Sequence, residues 1–202
     1  MHAAPPERRT LQILLIVLLS EGAVVMFWLM TGQLRFIRFL GFAEGLAGTV
    51  LAWILAAGVA AGYVWSAAKI ADVRFHLVRA GALKYVAIIA AVMAAVLEEV
   101  IFRKLVMDYL HNRGYGPILQ ILASGVTFGA VHLLWSFKNI AAGVNAVLST
   151  TVLGCALGIV YIAGERSLAP CVTAHFFITA LIEPGLIMAA VKDKLGYWHQ
   201  RP

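Results

Sequence analysis

Charge is scarce in this chain. Asp, Glu, Lys and Arg make up only 13% of its 202 residues, and 62% are hydrophobic. A soluble domain of this size is about half apolar and about a quarter charged. The composition therefore excludes a soluble globular domain and predicts an all-α bundle of helices spanning a membrane. Cysteine is scarce too. Cys155 and Cys171 fall in or beside apolar runs, fit no metal spacing, and read as buried small hydrophobes. There is no His-Glu-x-x-His, no internal repeat and no second domain. The net charge of +6 is scattered over loop positions. It reads as membrane topology and excludes nucleic acid as a partner. No eukaryotic retention signal is present and the chain is compact, which points to a prokaryotic cell membrane.

What is there is apolar length. At about 20 residues per span, the chain suits about six spans with short loops. Met1 to Thr10 is a short polar leader with Arg8 and Arg9. The spans are expected at about Leu11–Met30, Ala43–Ala68, Ala82–His111, Ile118–Phe137, Ala142–Ala163 and Pro170–Val191. The first run is too long for a signal peptide and is taken as a membrane helix. Gln33 to Phe42 reads as an interfacial segment or a tight loop. Lys69 to Lys84 is the most charged loop. One integral-membrane domain covers 1–202, with N-terminal helices over 11–81 and core helices over 82–191. If the N-terminus is cytoplasmic, ten of the sixteen Lys and Arg fall on the inner side and six on the outer, a modest bias for that orientation.

The residues that stand out are ionisable ones in apolar sequence. A charge at the centre of a spanning helix costs about 2.5–3.5 kcal/mol on insertion scales. Glu98 and Glu99 follow an almost unbroken apolar run from Tyr85 to Leu97, with Arg103 just beyond. On a helix Glu99 and Arg103 are i and i+4 and pair. Glu98 is turned by about 100° and has no obvious cation, so it is free to act as a base. His132 lies in the fourth span and His175 near the start of the sixth. Polar groups in hydrocarbon satisfy one another best in one shared cavity. Glu21 in the first span serves either an interhelical hydrogen bond or the edge of this polar site. Glu183 either lines the cavity or caps the turn at Pro184-Gly185. By rise per residue, His175 and Glu98 lie at depths that meet, roughly 8 Å and 10 Å in from the side where the third helix ends, while His132 is deeper, at roughly 20 Å from it.

These residues form a recognisable set. Glu98-Glu99-x-x-x-Arg103, then Phe128-Gly129-x-x-His132, then Gly158-x-x-Tyr161, Leu168-Ala169-Pro170 and Ala174-His175 resemble the CAAX prenyl endopeptidase and bacteriocin-processing family of intramembrane proteases. The resemblance covers roughly residues 85–190. It implies a glutamate-dependent peptidase acting on a membrane-anchored protein or peptide: a prenylated C-terminal peptide, a bacteriocin leader or a C-terminal sorting tail. It implies that Glu98 activates water, that His132 helps hold the water, and that His175 binds water or stabilises the oxyanion. Glu99–Arg103 would be the supporting pair, with Phe128 in the motif beside them. The family usually has Asn four residues after the last His; here Thr179 stands there and offers one hydroxyl donor.

Peptide hydrolysis needs a nucleophilic water, a base, an acid for the leaving amine and an oxyanion site. Glu98 is expected to take the proton and return it to the amine without a cofactor. Zinc held by Glu98, His132 and His175 is the alternative. A proton-coupled transporter or a catalytically silent membrane scaffold would use the same residue types. The transporter predicts Gly/Pro-interrupted spans in paired halves, which the sequence lacks. With the N-terminus inside, the spacing places the opening of the site on the external face.

Overall fold

A computed structural model describes residues 5–137 and 139–195. Within them five helices are long and apolar enough to cross a membrane, or up to six if a bent pair is one span. Together with the absence of strands among the described residues, this is the expected polytopic all-α bundle. The first four residues of the leader, Lys138 and Arg201 lie outside the described residues.

The chain begins with α1 (Pro6–Phe39), whose backbone leaves helical geometry at Gly32. The segment after Gly32 therefore continues as helix to Phe39, where a tight loop was one expectation. Glycines with left-handed φ at Gly45 and Gly48 delay the next helix. It starts at Val50, seven residues later than the apolar run suggests. This α2 (Val50–Ala67) is capped by Thr49, whose hydroxyl accepts from the Ala52 N–H and donates to Ala163 O at 2.7 Å.

The charged loop that follows holds a short helix, α3 (Ala71–His76). Lys84, read as a loop charge, is instead buried in the first turn of α4 (Ala82–Glu99). Its ammonium donates to Leu181 O at 2.9 Å and Glu183 O at 2.8 Å. Pro184 has no N–H to offer the preceding turn, so these carbonyls at a helix end need an outside donor.

The helix begun by α4 runs on without a break. Val100–Met107 is π-helical, and α5 (Asp108–Asn112) completes the crossing. After a turn come α6 (Pro117–Val131) and a 3-10 turn over His132–Phe137. The fourth span is thus shorter as α-helix than the expected Ile118–Phe137. Asn139 then caps α7 (Ile140–Ala163) by accepting from the N–H groups of Ala141 and Ala142. The last candidate span is the pair α8 (Ala169–Ile182) and α9 (Gly185–Val191), bent by 53° rather than straight.

Small residues set the packing around the centre. A Cβ added at Gly129 would sit 1.9 Å from the Thr151 hydroxyl and 2.8 Å from Val147 O, so α6 and α7 touch almost backbone to backbone. Buried alanines at 87, 90, 91, 94 and 95 let α4 lie close against α1 and α8.

Candidate active site

Two stripes run along α4, and they do different work. Ala90, Ala94 and Glu98 are spaced by four and line a cavity of about 820 Å³. Ala91, Ala95 and Glu99, one residue on, are buried in protein. The rotation of about 100° per residue thus sends two adjacent carboxylates to different surroundings. Glu99 is wholly buried, whereas the Glu98 side chain is 21% exposed.

Glu99 is held from two sides. Its Oε1 lies 2.8 Å from His175 Nδ1, and its Oε2 lies 2.9 Å from Arg103 Nε. The second approach is an ion pair off hydrogen-bond angle: Glu99 Oε2 and Arg103 Nε and Nη1 have no hydrogen-bond partner. Arg103 also donates through Nη2 to Gly154 O at 3.2 Å. Gly154 belongs to the α6–α7 contact, so the guanidinium ties the π-helical stretch after α4 to α7.

The histidines are fixed in their tautomers by their acceptors. His175 Nδ1–H donates to the Glu99 carboxylate, which turns Nε2 toward Glu98, 3.7 Å from its Oε2. His132 Nδ1–H donates to Phe128 O at 2.8 Å, leaving Nε2 as an acceptor. Phe128 stands between the rings, with centroids 5.0 Å from His132 and 5.7 Å from His175. Phe102 meets it edge-on at 5.1 Å, and the Arg103 guanidinium lies 5.4 Å from its ring.

Glu98, His132, His175, Thr179, Phe128, Glu21 and Glu183 all line the one cavity. Glu99 and Arg103 do not; they lie behind its wall. The 3-10 turn brings His132 into the shared space that straight-helix depth had placed out of reach. Glu21 lines the cavity from α1, and its Oε2 is buried without a hydrogen-bond partner. Glu183 faces the cavity as well, while its backbone carbonyl takes the Lys84 ammonium. Among the described residues no three His, Cys, Asp or Glu side chains are grouped to hold a metal ion.

The cavity runs from Glu98 to the membrane face where α1 begins, past Arg9, Asn139 and Asp193. This is the opposite face from the one that spacing suggested. Depth along straight helices locates side chains, but the opening is set by the gap between α1 and the α6–α7 pair, which sequence spacing does not encode. A second cavity, of about 640 Å³, shares Tyr63, His132 and Thr150 with the first and reaches Ser66, Lys69 and Asp72 on the same face. Tyr63 and Thr150 were missed from sequence. Each is a lone hydroxyl in an apolar span, a weaker signal than a charge.

A multi-pass membrane protein of helices around a carboxylate and imidazole cavity is what the fold and the site define together. Residues 80–181, just over half of the chain, match the family model described as type II CAAX prenyl endopeptidase Rce1-like. The chain belongs to this family of CAAX-protease-like intramembrane endopeptidases. No curated protein and no solved structure matches it. The matched stretch includes Glu98, Glu99, Arg103, Phe128, His132, His175 and Thr179; Glu21 and Glu183 lie outside it.

Proposed function

We propose that the protein hydrolyses a peptide bond in a membrane-anchored protein or peptide, with Glu98 as the general base. The observation that carries this reading is the separation of the two carboxylates. Glu99 is committed to Arg103 and His175, while Glu98 faces the cavity 3.7 Å from an imidazole nitrogen. A water between them finds two acceptors, Glu98 Oε2 and His175 Nε2, for its two O–H bonds. That holds its oxygen lone pair toward a carbonyl entering the cavity.

Glu98 takes one proton as the water attacks, and the protonated acid then passes it to the leaving amine. His175 and His132 each give Nδ1–H to a fixed acceptor and turn Nε2 to the cavity, where it orients water. Of the two roles the resemblance implied for His175, this is water binding rather than the oxyanion. The Thr179 hydroxyl, one turn further along α8 and on the cavity wall, supplies the donor. No step runs through a metal.

Partner, compartment and origin follow the same reading: a membrane-anchored protein or peptide substrate in the lipid bilayer of a prokaryotic cell membrane. The test is to replace the chain with its Glu98→Ala form in cells and identify the membrane protein that accumulates uncleaved. Purified wild-type chain should then cleave that protein, with or without a zinc chelator. Accumulation of nothing, or failure of the purified wild-type chain to cleave what accumulates, would overturn the peptidase reading. Loss of cleavage on chelation, restored by zinc, would overturn the metal-free one.

A further inference from the structure

We propose that the segment from Trp65 to Arg79 is a docking surface for anionic phospholipid headgroups, on the face where α1 begins and at the rim of the second cavity. The proposal rests on the membrane embedding of the chain and is independent of the peptidase reading.

The segment leaves the apolar end of α2 and alternates cations with large apolar side chains. Trp65 is 72% exposed, Phe75 56% and Val78 85%, and Lys69, Arg74 and Arg79 are exposed between them. The Lys69 ammonium lies 4.8 Å from the Trp65 ring, and the Arg79 guanidinium 4.5 Å from the Phe75 ring. Aromatic rings of this kind settle at the level of the headgroups, so each ring holds its cation at that depth.

The surface is anchored rather than loose. Val73, on the opposite side of α3, is fully buried against α9. A Cβ at Gly185 would meet Val73 Cα at 2.5 Å, so only glycine permits this approach. The acidic residue of the segment, Asp72, is taken by Lys192 at 2.5 Å. Lys69, Arg74 and Arg79 make no ion pair with a described residue. Burial first, and Arg79 next, hold the His76 imidazole below its ordinary pKa, so at neutral pH the positive charge of the surface is that of the three longer side chains. Three uncompensated cations beside interfacial rings complement a phosphate-bearing anionic headgroup. Lys69 carries that surface into the wall of the second cavity.

The test uses the full chain in lipid nanodiscs of phosphatidylcholine containing, at equal mole fraction, either brominated phosphatidylglycerol or brominated phosphatidylcholine. Quenching of Trp65 is read as the difference between wild type and Trp65→Phe. Phosphatidylglycerol should be enriched at Trp65 about fivefold or more, the factor one basic side chain contributes at an anionic surface. Added salt should reduce the enrichment. The triple variant Lys69→Gln, Arg74→Gln, Arg79→Gln should abolish it, Arg74→Lys with Arg79→Lys should keep it, and Arg113→Gln on the other face should leave it unchanged. If the triple variant melts early, Arg74→Gln alone should lower the enrichment. Equal quenching by the two lipids, or enrichment that survives loss of all three charges, overturns the proposal. So does equal quenching combined with a raised KM for acidic peptides, which would assign the cations to substrate.

Discussion

Two polar clusters lie along the same long helix and are built on opposite terms. At its far end Asp108 accepts from the Tyr161 hydroxyl at 3.0 Å and from Arg166 Nε at 2.9 Å. Arg166 also donates to Gln120 Oε1 at 3.0 Å and to Met107 O at 3.1 Å, and Lys104 donates to Arg166 O at 3.1 Å. These bonds fasten the turn after α7 to α5 and α6. None of these side chains lines either of the two cavities. Near the centre, Glu99 and Arg103 are buried completely, and Arg103 Nη1 and Glu99 Oε2 lack hydrogen bonds. In front of them Glu98 and the Nε2 atoms of His132 and His175 present acceptors into open space. A satisfied network holds helices together; a cavity that keeps its acceptors free has something left to offer a substrate.

The sharpest way to break this comparison is to remove the central cation. Arg103→Met leaves Glu99 buried beside His175 alone, and its melting temperature should fall by the equivalent of about 3–5 kcal/mol. Next in size is the proposed oxyanion donor. Thr179→Val should lower kcat about 10²–10³-fold with an unchanged melt, read by cleavage of the accumulating substrate. Lys84→Met, which frees two helix-end carbonyls, should cost about 1–3 kcal/mol in thermal unfolding, with Lys84→Arg recovering part of it. Asp108→Asn should be mildest, about 1 kcal/mol, with cleavage retained, because that cluster serves the fold alone.

Much of the centre was legible because helical rotation is a strong rule. Glu98 and Glu99 are adjacent in sequence and must diverge, and the four-residue step from Glu99 to Arg103 brings them together. What escaped was decided by the backbone between elements. Nothing in Val100–Met107 announces a π-helical stretch: apart from Arg103 and Lys104 its side chains are ordinary apolar ones. Lys84 looks like one more loop charge until the carbonyls freed by Pro184 are seen to need its ammonium. The bend between α8 and α9 was signalled by Pro184-Gly185, yet its consequence, two carbonyls exposed to α4, is tertiary. The opening of the cavity was misplaced for the same reason: a gap between helices distant in sequence leaves no mark on either one.

The central claim is that two neighbouring carboxylates are divided between catalysis and structure. It is tested most directly by comparing purified Glu98→Gln and Glu99→Gln, each measured for thermal unfolding and for single-turnover cleavage. Glu98→Gln should melt like wild type and lose about 10²–10⁴-fold in rate, the span of a general base. Glu99→Gln should melt markedly earlier. A Glu98→Gln protein that cleaves at close to the wild-type rate would contradict the account.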